Sequence, residues 1–355
     1  MSFNDYEIIK EIGSGAMGVV YLARDPRLDR LVAIKKIKIP KDITKDMHHE
    51  FVERFYREAR SIANLKHPNI VVVFELGEEK GINECFMVME FLEGDSLETM
   101  MEKRAFIPVN TVLKTIVQSC EALHYIHQKQ LIHRDIKPGN IFLCNTGIVK
   151  IMDFGLVRAN DNIDLTTPGA FLGSILYMPV EQIEDSRNID PRVDVYALGV
   201  TTYHVLTGDY PYNGNSFLEV VKKIQAGHPF PLTQANPNLP IELERIINKA
   251  IAKRRDDRFR NMLEFQEALV QFNAEKIKTN MSPLGYNRMT KTLPSLDDIY
   301  KQTPADFNKA VSMKANTGFI KNVSNKINEK NAQPLRQFAK PPVNNNNQPK
   351  GAPVS

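Results

Sequence analysis

Through the first ~90 residues the apolar positions come in short β-branched runs, EIIKEIG, VVYLAR and VAIKKIKI, parted by Gly, Pro and Asp. Such runs between turn-forming residues predict strands. One stretch departs from them. In FVERFYREARSIANL the positions Phe51, Phe55, Ala59 and Ile62 recur at helical spacing, so a single helix interrupts the sheet. IVVVFELGEE and CFMVMEF then predict two more strands. After Gly94 the period changes: Val109, Val112, Leu113, Ile116, Val117, Cys120 and Leu123 make one apolar stripe along a helix over 109–128. DVYALGVTTYHVLTG is mostly apolar and ends in Gly208, which suits a helix buried in mid-domain. Further helices are expected near 216–226, 241–252 and 261–274. The pattern thus predicts an α+β, bilobal domain, strand-rich over about 6–91 and mostly helical over about 92–273.

From 274 to 355 the composition shifts to Asn, Lys, Pro and Ser, ending in PPVNNNNQPKGAPVS. A segment so poor in apolar residues cannot offset its ordering entropy and is expected to be largely disordered. It also explains the charge. The net +4 of the 355-residue chain comes from this tail, where 13 Lys/Arg face five Asp/Glu over 275–355. The basicity therefore belongs to the tail and marks no specific nucleic-acid-binding fold, although such a tail can touch anionic surfaces. No run approaches 18 apolar residues, and the start, MSFNDYEIIKEIG, lacks a basic segment before an apolar one. Neither a transmembrane helix nor a secretory signal is expected. Cys85, Cys120 and Cys144 are scattered without metal-ligand spacing, so they are expected to be reduced thiols in the cytoplasm.

Four short motifs carry candidate chemistry. Gly13-Ser14-Gly15-Ala16-Met17-Gly18-Val19-Val20 offers close backbone approach and exposed N–H groups to phosphates. Taken alone it is weak, because a dinucleotide-binding turn uses the same glycines. Here a strand follows it and no helix, so the glycines cap a hairpin. No Gly-Lys-Ser/Thr closes a P-loop either. Val32-Ala33-Ile34-Lys35 puts a lysine on a strand, where by itself it is an ordinary solvated side chain. His133-Arg134-Asp135-Ile136-Lys137-Pro138-Gly139-Asn140 packs several polar groups into one loop after an apolar helix, and Asp153-Phe154-Gly155 follows the strand IVKIM.

In this order and spacing the four motifs resemble the eukaryotic-type (Hanks-type) serine/threonine protein kinase family, with wording most like its bacterial members. The resemblance covers roughly residues 6–273 and implies a kinase fold with ATP held between the lobes. It implies that Lys35, paired with Glu58, neutralises the α- and β-phosphates, and that Asp135 takes the proton of the substrate hydroxyl. Lys137 would steady the transferred phosphate, and its presence in HRDIKPGN points to serine/threonine rather than tyrosine substrates. Asn140 and Asp153 would hold magnesium, with manganese as a substitute. Residues Ile12 to Val20 would cover the nucleotide. Met89 would be the gatekeeper, Glu90 to Leu92 would meet the adenine edge, and Val20, Ala33 and Phe142 would sandwich the ring. These apolar positions also suit plain core.

Downstream, Asp194 resembles the residue that buttresses the catalytic loop, and Glu181 with Arg258 the ion pair that closes the activation segment. Pro179-Val180-Glu181 and Arg254-Arg255 depart from the usual A-P-E and Asp-Pro, which puts local geometry there in question. Ser174 is expected beside Asp135 and Lys137, and Thr166 and Thr167 are candidate sites of activating autophosphorylation. His124 with His127 is not expected to bind metal, since no further ligand completes a site; His127 is expected to support the catalytic loop. The rival reading is a pseudokinase or scaffold that works through nucleotide-dependent binding and its tail. It would need one of Lys35, Asp135, Asn140 or Asp153 to be missing, and all are present. Protein substrates are the expected partners. In the tail Ser295-x-x-Asp298 and Thr303-Pro304-x-Asp306 resemble helix starts; the segment 295–314 is either transiently helical within a disordered tail or docks on the kinase domain or on a protein partner. Acids that select basic substrates are absent at Gly139 and Ser96, which argues against strongly basophilic recognition.

Overall fold

The structure, a computed structural model, describes residues 3–15, 18–37, 39, 45–79, 84–103, 107–154, 172–185 and 188–272. β1 (Glu7–Gly15), β2 (Gly18–Asp25) and β3 (Arg30–Ile37) form an antiparallel meander. Helix α1 (Lys45–Ala63) follows, then β4 (Val73–Glu79) and β5 (Glu84–Glu90). The strand order is β1-β2-β3-β5-β4. Side chains alternate across this sheet with period two. Val32 and Ile34 of β3 join Ala23, Phe86 and Val88 in one buried cluster on one face. Ala33 of the other face meets Met89 and Val71. Lys35, two residues on from Ala33, is thereby carried on that second face.

The helical lobe begins with β6 (Gly94–Ser96), α2 (Leu97–Glu102) and α3 (Val109–Gln128). β6 pairs with β7 (Ile141–Cys144), and β7 with β8 (Val149–Ile151), all antiparallel. Next come α4 (Leu172–Ile175), α5 (Val180–Glu184), α6 (Arg192–Thr207), α7 (Phe217–Ala226), α8 (Leu232–Ala235), α9 (Ile241–Ala250) and α10 (Met262–Gln271). The apolar stripe on α3 is buried against α6 and α10, and α6 is buried along nearly its whole length. Its chain stops at Gly208, whose φ of 74° is a left-handed helix end that glycine adopts without strain.

Two differences from the sequence pattern stand out. The run IVVVFELGEE enters the sheet only at Val73, because its first residues pair elsewhere. Ile70 bridges in parallel to Ile151, and the Asn69 side chain donates to the Val149 carbonyl and to Gln118, at 2.9 Å each. The segment therefore ties the strand-rich lobe to β8. Of the small β6-β7-β8 sheet only β8 was legible, as the run IVKIM, since strands of three or four residues are too short to display a period. Residues 273–355, with the whole expected tail and its 295–314 segment, lie outside the described residues.

Candidate active site

The glycine-rich run closes the β1–β2 hairpin, with Gly15 opposite Gly18. Gly18 has a φ of 153°, and a Cβ there would run into the Lys36 carbonyl. The position accepts glycine alone on both counts. Ile12, Gly13 and Ser14 are exposed at the sheet edge, whereas Ala16 and Met17 lie outside the described residues. From β3 the Lys35 ammonium reaches Asp153 Oδ1 at 2.6 Å. Glu58 is on α1, but its side chain lies outside the described residues.

The loop after α3 is organised around Asp194. This carboxylate, fully buried in the first turn of α6, accepts from the backbone N–H of His133 and of Arg134 (2.9 Å each) and from His127 Nε2 (2.8 Å). Burial alone would push its pKa up; the bonds from His127 and the loop outweigh that and hold it below the ordinary carboxylate range. His133 Nε2 faces the Met152 carbonyl at 3.0 Å, and a carbonyl only accepts, so Nε2 carries the proton. Nδ1 is then free to accept from the Asp135 N–H at 3.3 Å. Burial lowers the His133 pKa and favours this neutral tautomer. Its ring lies 4.7 Å from that of Phe154, which anchors the residue after Asp153.

Six polar groups converge on this scaffold. Asn140 Nδ2 donates to the Asp135 carbonyl (2.7 Å), to Asp135 Oδ2 (3.1 Å) and to the Asp153 carbonyl (3.5 Å). Lys137 Nζ lies 3.4 Å from Asp135 Oδ2 and 3.3 Å from Ser174 Oγ. At Asp153 burial again acts upward, but Lys35 first, then Lys137 and His133, hold the carboxyl below its usual range. Arg134 and Asp153 adopt left-handed φ values of 67° and 50°. For residues with a Cβ this costs about 1–3 kcal/mol each, sustained only where neighbours fix the backbone. Asp194 and Gln182 hold Arg134, while Lys35 and Asn140 hold Asp153.

Next to these groups Ala33, Met89 and Val71 form an apolar cluster, with Val20, Leu92 and Met152 packed against it. Phe142 is half-buried on β7, opposite Ser96 and Lys150. Val71 and Met152 escaped sequence reasoning. Met152 could have been found, since it alternates with the buried Ile151 and so faces the other side. Lys150 was missed as well: its ammonium binds Glu90 at 2.6 Å and fastens the connection between the lobes.

Past 155–171, which lie outside the described residues and include Thr166 and Thr167, the chain returns at α4. Ser174 is buried beside Lys137. The Glu181 carboxylate takes two bonds from Arg258, at 2.5 and 3.0 Å. Arg258 also donates to the carbonyls of Ala252, Lys253 and Arg192 and lies over the Tyr196 ring. The altered motifs fit around this pair: Pro179 caps α5 with Glu181 in its first turn, and Arg255 reaches Asp190 at 3.4 Å.

The protein kinase domain family matches residues 6–270. The chain is 35% identical over 272 residues to the serine/threonine-protein kinase PknB of Mycobacterium leprae, covering 76% of this chain and 43% of that protein. It is 36% identical over 296 residues to PrkC of Bacillus subtilis, covering 82% and 44%. The chain thus spans less than half the length of these curated relatives. Among solved structures, the Mycobacterium tuberculosis PknI kinase domain aligns with a TM-score of 0.58 and 28% identity, over 76% of this chain and 97% of that one. With identity at this level across the whole described fold, the chain belongs to the eukaryotic-type (Hanks-type) serine/threonine protein kinase family.

Proposed function

We propose that this chain transfers the γ-phosphoryl group of ATP to serine and threonine hydroxyls of proteins. One observation carries the proposal: Lys35, Asp135, Lys137, Asn140 and Asp153, from three separate stretches, are linked into one polar network beside an apolar cluster. The substrate hydroxyl donates its proton to the Asp135 carboxylate. As its oxygen bonds to the γ-phosphorus, the bond to the β–γ bridging oxygen breaks and ADP leaves. Lys35 neutralises the α- and β-phosphates, and Lys137 balances charge on the group in transfer. The apolar cluster of Val20, Ala33, Met89 and Leu92 takes the adenine ring.

Kinases of this family use ATP with a divalent metal. The residues fit one, magnesium or manganese. Asn140 uses its N–H donors within the loop, which leaves its carbonyl oxygen for a cation, and Asp153 is held ionised. Both are hard oxygen donors. When bound, the ion would neutralise phosphate charge. All three cysteines are free thiols, which suits a reducing, cytoplasmic setting. No helix among the described residues is long and apolar enough to cross a membrane.

Lys35→Met and Asp135→Ala test the proposal. Each is expected to lower turnover about 100-fold or more while the protein stays folded. Near-full turnover in either folded variant would overturn it, and equal rates for Asp135→Ala and wild type would favour a pseudokinase. We extend the proposal to activation by autophosphorylation at Thr166 or Thr167, where a phosphate could pair with Arg134. Mass spectrometry of the same proteins should find that phosphate in wild type and not in Asp135→Ala.

A further inference from the structure

We propose that Glu98 selects a basic side chain close to the hydroxyl that receives phosphate, so that the protein substrates of this kinase carry Arg or Lys beside the acceptor. This rests on the kinase reading and deepens it. Glu98 lies in the first turn of α2, whose start is capped by Ser96 Oγ accepting the Thr99 N–H at 3.1 Å. α2 packs against the turn formed by residues 138–140 of the catalytic loop. There a Cβ built on Gly139 would fall 2.5 Å from Glu98 Oε2. The glutamate carboxylate therefore occupies the space that a side chain at 139 would fill, next to Asn140 and two residues from Lys137. The acid that is absent from position 139 in the sequence is returned by the fold from another element.

Glu98 as a residue is exposed although its carboxylate is partly buried, and among the described residues no hydrogen bond or ion pair is made to it. Burial of part of it raises its pKa; Lys137 opposes the rise, while Glu102 and Asp135 add to it. Lys137 is already engaged with Asp135 and Ser174. Among the described residues, negative charge here thus exceeds the positive charge at hand, and an incoming guanidinium or ammonium would balance it. Aromatic groups stand within the same field. The charge of Glu98 contributes to the raised pKa values of Tyr177 and Tyr210, after the larger effect of burial. Their rings meet edge-on at 5.8 Å. Tyrosine faces attract cations, Arg above all.

A first-turn glutamate also complements the dipole of its helix. That role alone would alter melting temperature and leave substrate choice untouched. The test uses the full chain as wild type, Glu98→Gln and Glu98→Lys, with peptides in which one Arg is moved through every position flanking the acceptor in an alanine background. Melting curves verify folding. In wild type one Arg position should raise kcat/KM about 10-fold over the all-alanine peptide, the size of a charge-assisted hydrogen bond. Glu98→Gln should remove most of that gain, Glu98→Lys should turn it into a preference for Glu, and high salt should shrink it. An Arg preference that survives in folded Glu98→Gln, or no Arg preference at any position in wild type, overturns this inference alone. Absence of transfer to any peptide, to casein and to the chain itself overturns the kinase reading with it.

Discussion

His204 is stacked on Tyr210, with ring centroids 4.1 Å apart, and its Nδ1 meets the Tyr177 hydroxyl at 2.7 Å. Burial lowers its pKa to about 4. The neutral ring shares this hydrogen bond with Tyr177, and so holds that residue in the segment after Ser174. Because the folded value lies below the ordinary 6.5, the associated stability is complete above about pH 6.5 and is lost as pH falls toward 4. The loss should reach about 3 kcal/mol, to be seen as a fall in urea midpoint. His204→Gln keeps a hydrogen-bonding partner for Tyr177, as donor or acceptor, and does not titrate, so its midpoint should fall less over the same range. Parallel losses in the two proteins would show that other groups govern acid unfolding. Nothing in the sequence around His204 announces this role; it appears only when residues 177, 204 and 210 are brought together.

Among the elements, those with a long period were legible and most of the short ones were not. The stripe over 109–128 gave α3 with matching ends, and the apolar run ending at Gly208 gave α6. A twenty-residue helix repeats its pattern several times, whereas β6 and β7 do not complete one comparison and β8 was read only from its apolar run. What the pattern could not supply is how closely two elements pack. On α6, a Cβ at Gly199 would stand 2.8 Å from Ala250 Cβ and from Ile251 Cγ2. Gly199→Ala improves helix propensity by roughly 1 kcal/mol. It also forces α6 away from α9 in a packed core, at a cost of about 1–3 kcal/mol. The net effect is expected to be destabilising, in contrast to a Gly→Ala change on an exposed helix. A raised midpoint in chemical denaturation would mean that the two helices are not in such close contact.

At the scale of the whole molecule, Glu181 and Arg258 join stretches 77 residues apart. The Arg258 side chain is wholly buried. Glu181→Ala would leave that guanidinium without its carboxylate, a loss of about 3–5 kcal/mol. Glu181→Ala with Arg258→Met removes the buried charge too and should recover part of the loss, though not all, because three backbone carbonyls lose their donor. A double variant less stable than Glu181→Ala would contradict this account. The sequence by itself determined the order of the longer elements and the two-lobe division, and its motifs named the candidate phosphate-handling groups. Each of those is written in a local period or in a motif of adjacent residues, where neighbours in sequence are neighbours in space. The tertiary structure alone decided the rest: that Lys35 meets Asp153, that Val71 and Met152 complete the apolar cluster, and that Glu98 fills the space left by Gly139. Those contacts join residues far apart in the chain, and whether two such side chains touch depends on register, crossing and free volume that no local pattern records.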